Sequence, residues 1–373
     1  MKKRNNPFIL TGYSGTLYFC NRQKETEWLI DQWQNERNVV LYSWRRMGKT
    51  ALIRHLFYTL NKQKKVRSLY VDLLGTSSQS DAVQRIATAV IDEFGSLNKG
   101  MSNILLKLVS HLGATIALDP FTGLPQVEFS ITNPPEPIPS LKAIGEFLGN
   151  QNSKVVLALD EFQQIVYYED TSAEATFRTW AQENPDIRLI FSGSHRHMMN
   201  SMFSESNRPF YRSAQLMELE SIASEDYSKF IKSLFKKGNK KIDQQHIDTI
   251  LEWARFQTYY VQLTCNKLFG RTDDVTQEDI LAVMNETLEQ ESPLFGQFKM
   301  MLTNKQWQIL KAIALEEDVP NPFSQSFIKK YDLGAASSVN AAIKALLEKE
   351  ILIYWDERYT LHDTLLMRWL QRY

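Results

Sequence analysis

The chain has 373 residues, 43% hydrophobic and 23% charged, which is an ordinary globular composition and enough length for two or three domains. Basic and acidic residues balance at 43 each, which argues against a chain-wide basic field of the kind that carries non-specific nucleic-acid binding and leaves room only for a local patch. Cys20 and Cys265 lie far apart without a CxxC spacing, and the six histidines are scattered, so neither a disulfide framework nor a zinc site is expected.

From the N-terminus, "MKKRNNPFILTGYSG" is charged without a long apolar core, which does not read as a secretion signal. No apolar run approaches the ~20 residues of a membrane span. The expected location is therefore the cytoplasm, in soluble form.

Residues 1–218 alternate short apolar strands with helices, which predicts a largely parallel sheet covered on both faces. "NVVLYS" reads as a buried strand. "GKTALIRHLFYTLNKQ" follows as a helix with Leu52, Ile53, Leu56, Phe57 and Leu60 at helical spacing. "VRSLYVDLL" is the next strand, and "SDAVQRIATAVIDEFGSL" a helix with Ser80 as its expected cap. Over 113–140, "GATIALDPFTGLPQVEFSI" reads as an inserted hairpin around a Pro/Gly turn, and "TNPPEPIPS" as an extended connector. "KVVLALDEF" and "IRLIFSGS" complete the strands. Residues 219–298 read as a helical domain, with Thr276 capping "TQEDILAVMNETLEQES". Residues 299–373 read as three helices and a hairpin, the order of a winged helix-turn-helix, with Ala335 to Glu348 in the place of the recognition helix.

Three stretches carry chemistry. In "LYSWRRMGKTAL" a strand ends at Tyr42, a loop runs Ser43 to Gly48, and Lys49-Thr50 open a helix. A phosphate-binding loop has that layout: backbone N–H groups converge on the phosphates, the lysine reaches them, and the next hydroxyl holds magnesium. Ser43 stands where such loops usually start with glycine. In "KVVLALDEF" the apolar strand delivers Asp160, suited to hold magnesium through water, and Glu161, suited to activate the attacking water. In "RLIFSGSHRHMM" a strand ends in small polar residues, and Ser192 or Ser194 is placed to sense a terminal phosphate. A Ser/Gly strand-end turn without that role accounts for the residues equally well. Arg45, Arg46, Arg196, Arg208 and Arg212 are candidates for offsetting phosphate charge; for each alone a surface or ion-pair role is the commoner one. Arg45 and Arg46 are expected to brace the loop against neighbouring acids.

Together these stretches resemble the prokaryotic archaeal-type ATPases, close to the STAND and AAA+ P-loop ATPases. "SWRRMGKTALI" is similar to the family's loop with its double arginine, and "FCNRQKETEWL" to its N-terminal box, which places Arg22 and Glu25 near the adenine. "LALDEFQQI" and "IFSGSHRHMM" match the acidic and sensor strands. "FQTYYVQLTCNKL" resembles the segment usually written Gly-x-Pro-Tyr-Tyr-x-Gln, and "YTLHDTLLMRWL" the closing pattern after a winged helix. The departures are Ser43, Phe256-Gln257-Thr258 in place of Gly-x-Pro, and Arg212 one residue from the usual Gly-Arg.

The resemblance implies an α/β P-loop NTPase domain (1–218, with the 113–140 insert), a helical lid (219–298) and a winged helix (299–373). It implies ATP and Mg2+ as ligands. Ser43, Arg45, Arg46, Met47, Gly48, Lys49, Thr50, Ala51, Arg22, Ser192 and Arg212 would line the nucleotide, Thr50 and Asp160 would hold the metal, and Lys49, Asp160 and Glu161 would serve catalysis. The function expected is slow, Mg-dependent ATP hydrolysis coupled to movement of lid and winged helix, with an unknown protein partner. A DNA-binding regulator is the alternative, but residues 299–373 carry ten Lys/Arg against nine Asp/Glu, and the recognition helix has Lys344 alone among its central residues. A nucleotide-binding scaffold without hydrolysis is the third reading.

Overall fold

The computed structural model describes residues 4–62, 66–95, 108–110, 112–118, 125–129, 134–355 and 357–372. The chain divides into two compact units, Ile9–Ala223 with the first four residues, and Ser224–Tyr373 with Asn5–Phe8.

The first unit is built on five parallel strands: β1 (Val39–Tyr42), β2 (Val66–Asp72), β5 (Lys154–Asp160), β6 (Ile187–Gly193) and β7 (Gln215–Glu218). Their order across the sheet is β2-β5-β6-β1-β7. The strand β6 thus lies between the phosphate-loop strand and the acidic strand, with Leu41 beside Ser192 and Tyr42 beside Gly193. On the other side of β5, Asp72 of β2 aligns with Asp160. Side chains alternate across the sheet as a two-residue period demands. Val39, Leu41, Val156 and Ala158 join Leu52, Ile53, Leu56, Phe57 and Leu60 in one core. Val40, Val155, Leu157 and Leu159 join the opposite one. Both faces are therefore covered, which is why these strands read as unbroken apolar runs.

The helix Gln79–Phe94 is capped by Ser78, whose hydroxyl accepts from the Asp81 amide; Ser80 lies inside the helix and donates to the Pro135 carbonyl. The expected cap was two residues too late, because an extended residue must precede the first helical one. The hairpin is present as β3 (Ala114–Leu118) antiparallel to β4 (Pro125–Phe129); its turn lies outside the described residues. The proline-rich connector is shorter than expected. A helix begins at Pro137 and runs to Gly149, because proline is favoured at a first helical position where no N–H is needed. Strand β7 had no strong sequence signal: four residues, none fully buried, at the sheet edge.

The second unit holds helices Ser224–Lys237, Gln244–Trp253, Thr258–Arg271 and Gln277–Met301, the last with the Thr276 capping box. Arg255 and Phe256 take left-handed conformations (φ 47° and 56°) and separate the second helix from the third. Phe256 holds this turn without glycine's freedom, at a cost of about 1–2 kcal/mol. The winged helix follows as Asn304–Glu316, Gln325–Lys330, Ala336–Glu348 and the hairpin β8 (Leu352–Trp355) with β9 (Arg358–Leu361). A further helix, Thr364–Arg372, buries Leu365, Leu366, Met367 and Leu370. Phe8 packs in this unit against Phe230, Phe235 and Phe269, held by paired bonds between Asn6 or Phe8 and Asn266.

Candidate functional site

The parallel strands present their C-terminal ends together, where ligands of open α/β sheets bind. The loop leaves β1 through Ser43, whose amide donates to the Gly193 carbonyl of β6 at 3.4 Å. Ser43 does not take a positive φ; the loop's left-handed positions are Arg46 (φ 68°) and Gly48 (φ 95°). The missing first glycine therefore costs the backbone nothing. Instead the Ser43 hydroxyl donates to the Trp44 carbonyl at 2.9 Å and lies 3.3 Å from Lys49 Nζ.

Lys49 is 6% exposed, and its ammonium also faces the Ser43 and Trp44 carbonyls at 3.4 Å each. Burial lowers its pKa, against the opposing pull of Glu161 and Asp160. Thr50 Oγ donates to Asp160 Oδ2 at 2.9 Å, joining residues 110 positions apart. The Tyr70 hydroxyl donates to that same oxygen at 2.5 Å. Burial, then the Asp160 charge and the bond to it, push the Tyr70 phenol well above its usual range. Asp160 itself is buried, and its Oδ1 accepts the Glu161 amide at 3.1 Å.

Glu161 has a left-handed backbone (φ 51°) that turns the chain out of β5. Its Oε2 accepts from Gln163 Nε2 at 2.5 Å, from Ser194 Oγ at 2.7 Å and from the Ser194 amide at 3.3 Å. The next residue, Phe162, is fully buried against Phe191 (4.6 Å between ring centroids) and Phe210, which anchors the turn. Of the two candidate sensor serines, Ser194 touches Glu161. Ser192 lies wholly inside the sheet, its hydroxyl without a partner among the described residues.

Arg22 is buried rather than open to solvent. It pairs with Glu25 at 2.6 Å and donates to the carbonyls of Met47 (3.5 Å) and Glu220 (2.7 Å). It thus ties the N-terminal box to the phosphate loop and to the end of β7. Met47 is buried and Ala51 half-buried, while Arg45 and Arg46 are exposed. Arg45 forms no ion pair among the described residues, so bracing by an acid is not met there. Of the arginines that follow β6, Arg196 lies beside the loop: its guanidinium sits 4.6 Å over the Trp44 ring and pairs with Glu218, with burial bringing its pKa down to about 10. Arg208 pairs with the largely buried Glu174 at 3.0 Å. Arg212 is exposed with its guanidinium over Tyr211.

Tyr70, Gln163 and Trp44 were not singled out from the sequence. Tyr70 had one usable signal, a phenol between the apolar Leu69 and Val71 near the end of a strand that closes on Asp72.

The donor set suits Mg2+. Thr50 and Asp160 offer a hydroxyl and a carboxylate side by side, and this ion takes few protein oxygens and completes its shell with phosphate and water. Among the described residues there is no cluster of three His, Cys, Asp or Glu side chains that would suit another metal.

A strand–GKT–helix loop, an acidic strand end and an intervening strand define a P-loop ATPase fold. The family model described as an ATPase domain predominantly from Archaea matches residues 19–258, and the chain belongs to that family. A second model, "Probable winged helix domain", matches residues 293–372. Among solved structures the chain is similar to a Walker-type ATPase of Pyrococcus abyssi, with 17% identity, 98% of this chain and 99% of that one covered, and a TM-score of 0.66. It is also similar to the ORC2 protein of Aeropyrum pernix in ADPNP-ADP complexes (13% identity, 99% and 97% covered, TM-score 0.60). The ORC1 protein of Aeropyrum pernix in complex with DNA is a third (14% identity, 95% and 93% covered, TM-score 0.52). At these identities the likeness shows the fold. No curated protein matches.

Proposed function

We propose that this P-loop ATPase binds ATP with Mg2+ and hydrolyses it slowly, using the nucleotide state to move the helical segment and winged helix as a regulatory switch. The observation that carries this reading is the Thr50–Asp160 bond beside Glu161, with Lys49 buried in the loop. In it, Lys49 and the loop amides receive the phosphates, and the backbone N–H groups need no rearrangement of charge to do so. Thr50 and Asp160 would hold Mg2+, which when bound offsets phosphate charge. Glu161 takes the proton of the attacking water, and Ser194 stands beside it to report on the terminal phosphate. Three donors occupy Glu161 Oε2, and they must let go of it before it can take a proton from water, which supports slow turnover until a partner shifts them. The three-part domain division, adenine as the preferred base, a cytoplasmic site of action and a protein partner belong to the same reading. STAND or AAA+ kinship does too.

Isothermal titration with ATP and Mg2+ tests it. The wild type is expected to bind and Lys49→Ala to lose most of that affinity; equal binding by both sinks the reading. Phosphate release is expected in the wild type and absent in Glu161→Gln, with binding kept. Release that persists in the variant removes Glu161 as the base, and none in either leaves a scaffold.

One structural neighbour, the ORC1 protein of Aeropyrum pernix, was solved in complex with DNA. In this chain the exposed face of Ala336–Glu348 carries Ser337, Ser338, Asn340 and Lys344, a single cation, so docking to protein is the favoured role. A gel shift with random duplex DNA at low salt that shows binding would reverse that preference.

A further inference from the structure

We infer that Tyr70 is a positioning residue for the magnesium site, acting through Asp160; the inference rests on the nucleotide–magnesium reading above. Asp160 Oδ2 accepts two hydroxyl protons, from Thr50 at 2.9 Å and from Tyr70 at 2.5 Å, while Oδ1 accepts the Glu161 amide at 3.1 Å. Both carboxylate oxygens are thus held from defined directions. The carboxylate is 4% exposed by residue, so water does not supply an equivalent set of donors.

The consequence concerns Thr50. A hydroxyl that ligates a divalent cation does so with an oxygen lone pair, so its proton must be directed elsewhere. Asp160 takes that proton. It can do so in one orientation only if its own carboxylate does not swing, and the Tyr70 hydroxyl, bonded to the same oxygen, restrains it. The Tyr70 ring is itself fixed. It sits on β2, two residues before Asp72 and in register with Ala158 of β5, and the Arg54 guanidinium lies 4.0 Å over its face. Arg54 follows Thr50 by four residues on the same helix, so one helix face supplies both the metal-ligating hydroxyl and the clamp on the tyrosine. Outer partners of this kind orient the residues that bind metal, and removing them typically weakens metal binding 10–100-fold.

In that reading the phosphates are received by Lys49 and the loop, whereas the Tyr70 hydroxyl bonds to the Asp160 carboxylate. The variant Tyr70→Phe keeps the ring and the Arg54 contact and removes one hydroxyl. Two affinities separate the roles: a fluorescent ATP analogue titrated in EDTA, and Mn2+ titrated onto the protein saturated with ATP, read by the loss of free Mn2+ signal in electron paramagnetic resonance. The expected result is metal-free nucleotide affinity within about twofold of wild type and Mn2+ affinity lower by roughly tenfold. Tyr70→Leu, which also removes the ring, is expected to lose at least as much Mn2+ affinity. Mn2+ affinity unchanged in Tyr70→Phe overturns the inference, as does a parallel fall in metal-free nucleotide affinity, which marks a structural role. A wild type that takes no ATP overturns the nucleotide reading and this inference with it, whereas a wild type that binds both ligands beside an indistinguishable variant overturns this inference alone.

Discussion

At the scale of single residues, Ser43 shows how a motif tolerates a change. Glycine starts such loops because it reaches positive φ without strain, but here that demand falls on Arg46 and Gly48. Ser43 keeps an ordinary backbone and uses its hydroxyl on Trp44 and Lys49. Ser43→Gly is therefore expected to leave ATP affinity within about threefold and to lower stability by about 0.5–1 kcal/mol through the freer unfolded chain. Titration calorimetry and urea unfolding check both, and a tenfold gain in affinity would show that the serine impairs the loop. Glu161 is the opposite case: its identity is plain in "LALDEF", yet its bond from Ser194, 33 residues further along the chain, is not.

At the scale of elements, the helix that begins at Lys49 is held from outside by the segment before it. The Phe19 ring stacks on His55 at 4.3 Å, and the Tyr13 hydroxyl meets His55 Nδ1 at 2.7 Å. Burial, and then the charge of Lys62, lower the His55 pKa. A base whose folded pKa lies below its unfolded value binds fewer protons when folded. Its contribution is thus intact above the unfolded pKa of about 6.5 and is lost as pH falls from there through the lower, folded pKa. Urea unfolding at pH 7.5 and 5.5 is expected to show a loss of stability at the lower pH. His55→Phe, which keeps the stack and removes the proton, should shrink that loss; an unchanged difference would assign it to other groups.

At the scale of the molecule, the helical segment and the winged helix form one compact unit, and polar ties explain why. Arg255 holds both oxygens of Asp318 at 2.7 and 2.9 Å and reaches Thr360 at 2.7 Å. Arg368 donates to the carbonyls of Trp253 and Glu252, and the Tyr260 hydroxyl donates to Asp363 at 3.0 Å. Any motion of the helices would then carry the winged helix along. Arg255→Ala is expected to lower stability by about 1–2 kcal/mol, allowing for partial exposure of the pair, and to make residues 299–373 more sensitive to protease. Cleavage at the wild-type rate would show that the apolar packing alone holds them.

The sequence by itself determined the phosphate loop, the acidic strand end, the sensor-like strand and the winged-helix order, because each is a local pattern within one strand–helix or helix–hairpin unit. It also carried the family resemblance that the comparisons bear out. Tertiary structure alone decided what those patterns do to one another. Strand β6 lies between β1 and β5 by sheet order, which places Ser194, rather than Ser192, on Glu161. Strand β2 brings Tyr70 to Asp160 from 90 residues away, and the fold sends Arg22 to the Met47 and Glu220 carbonyls. Phe8 leaves the first unit for the second in the same way. Local periodicity reports which face of an element is buried. Which elements become neighbours follows from burying those faces together, and only that brings the partners of Asp160 and Glu161 within hydrogen-bonding distance.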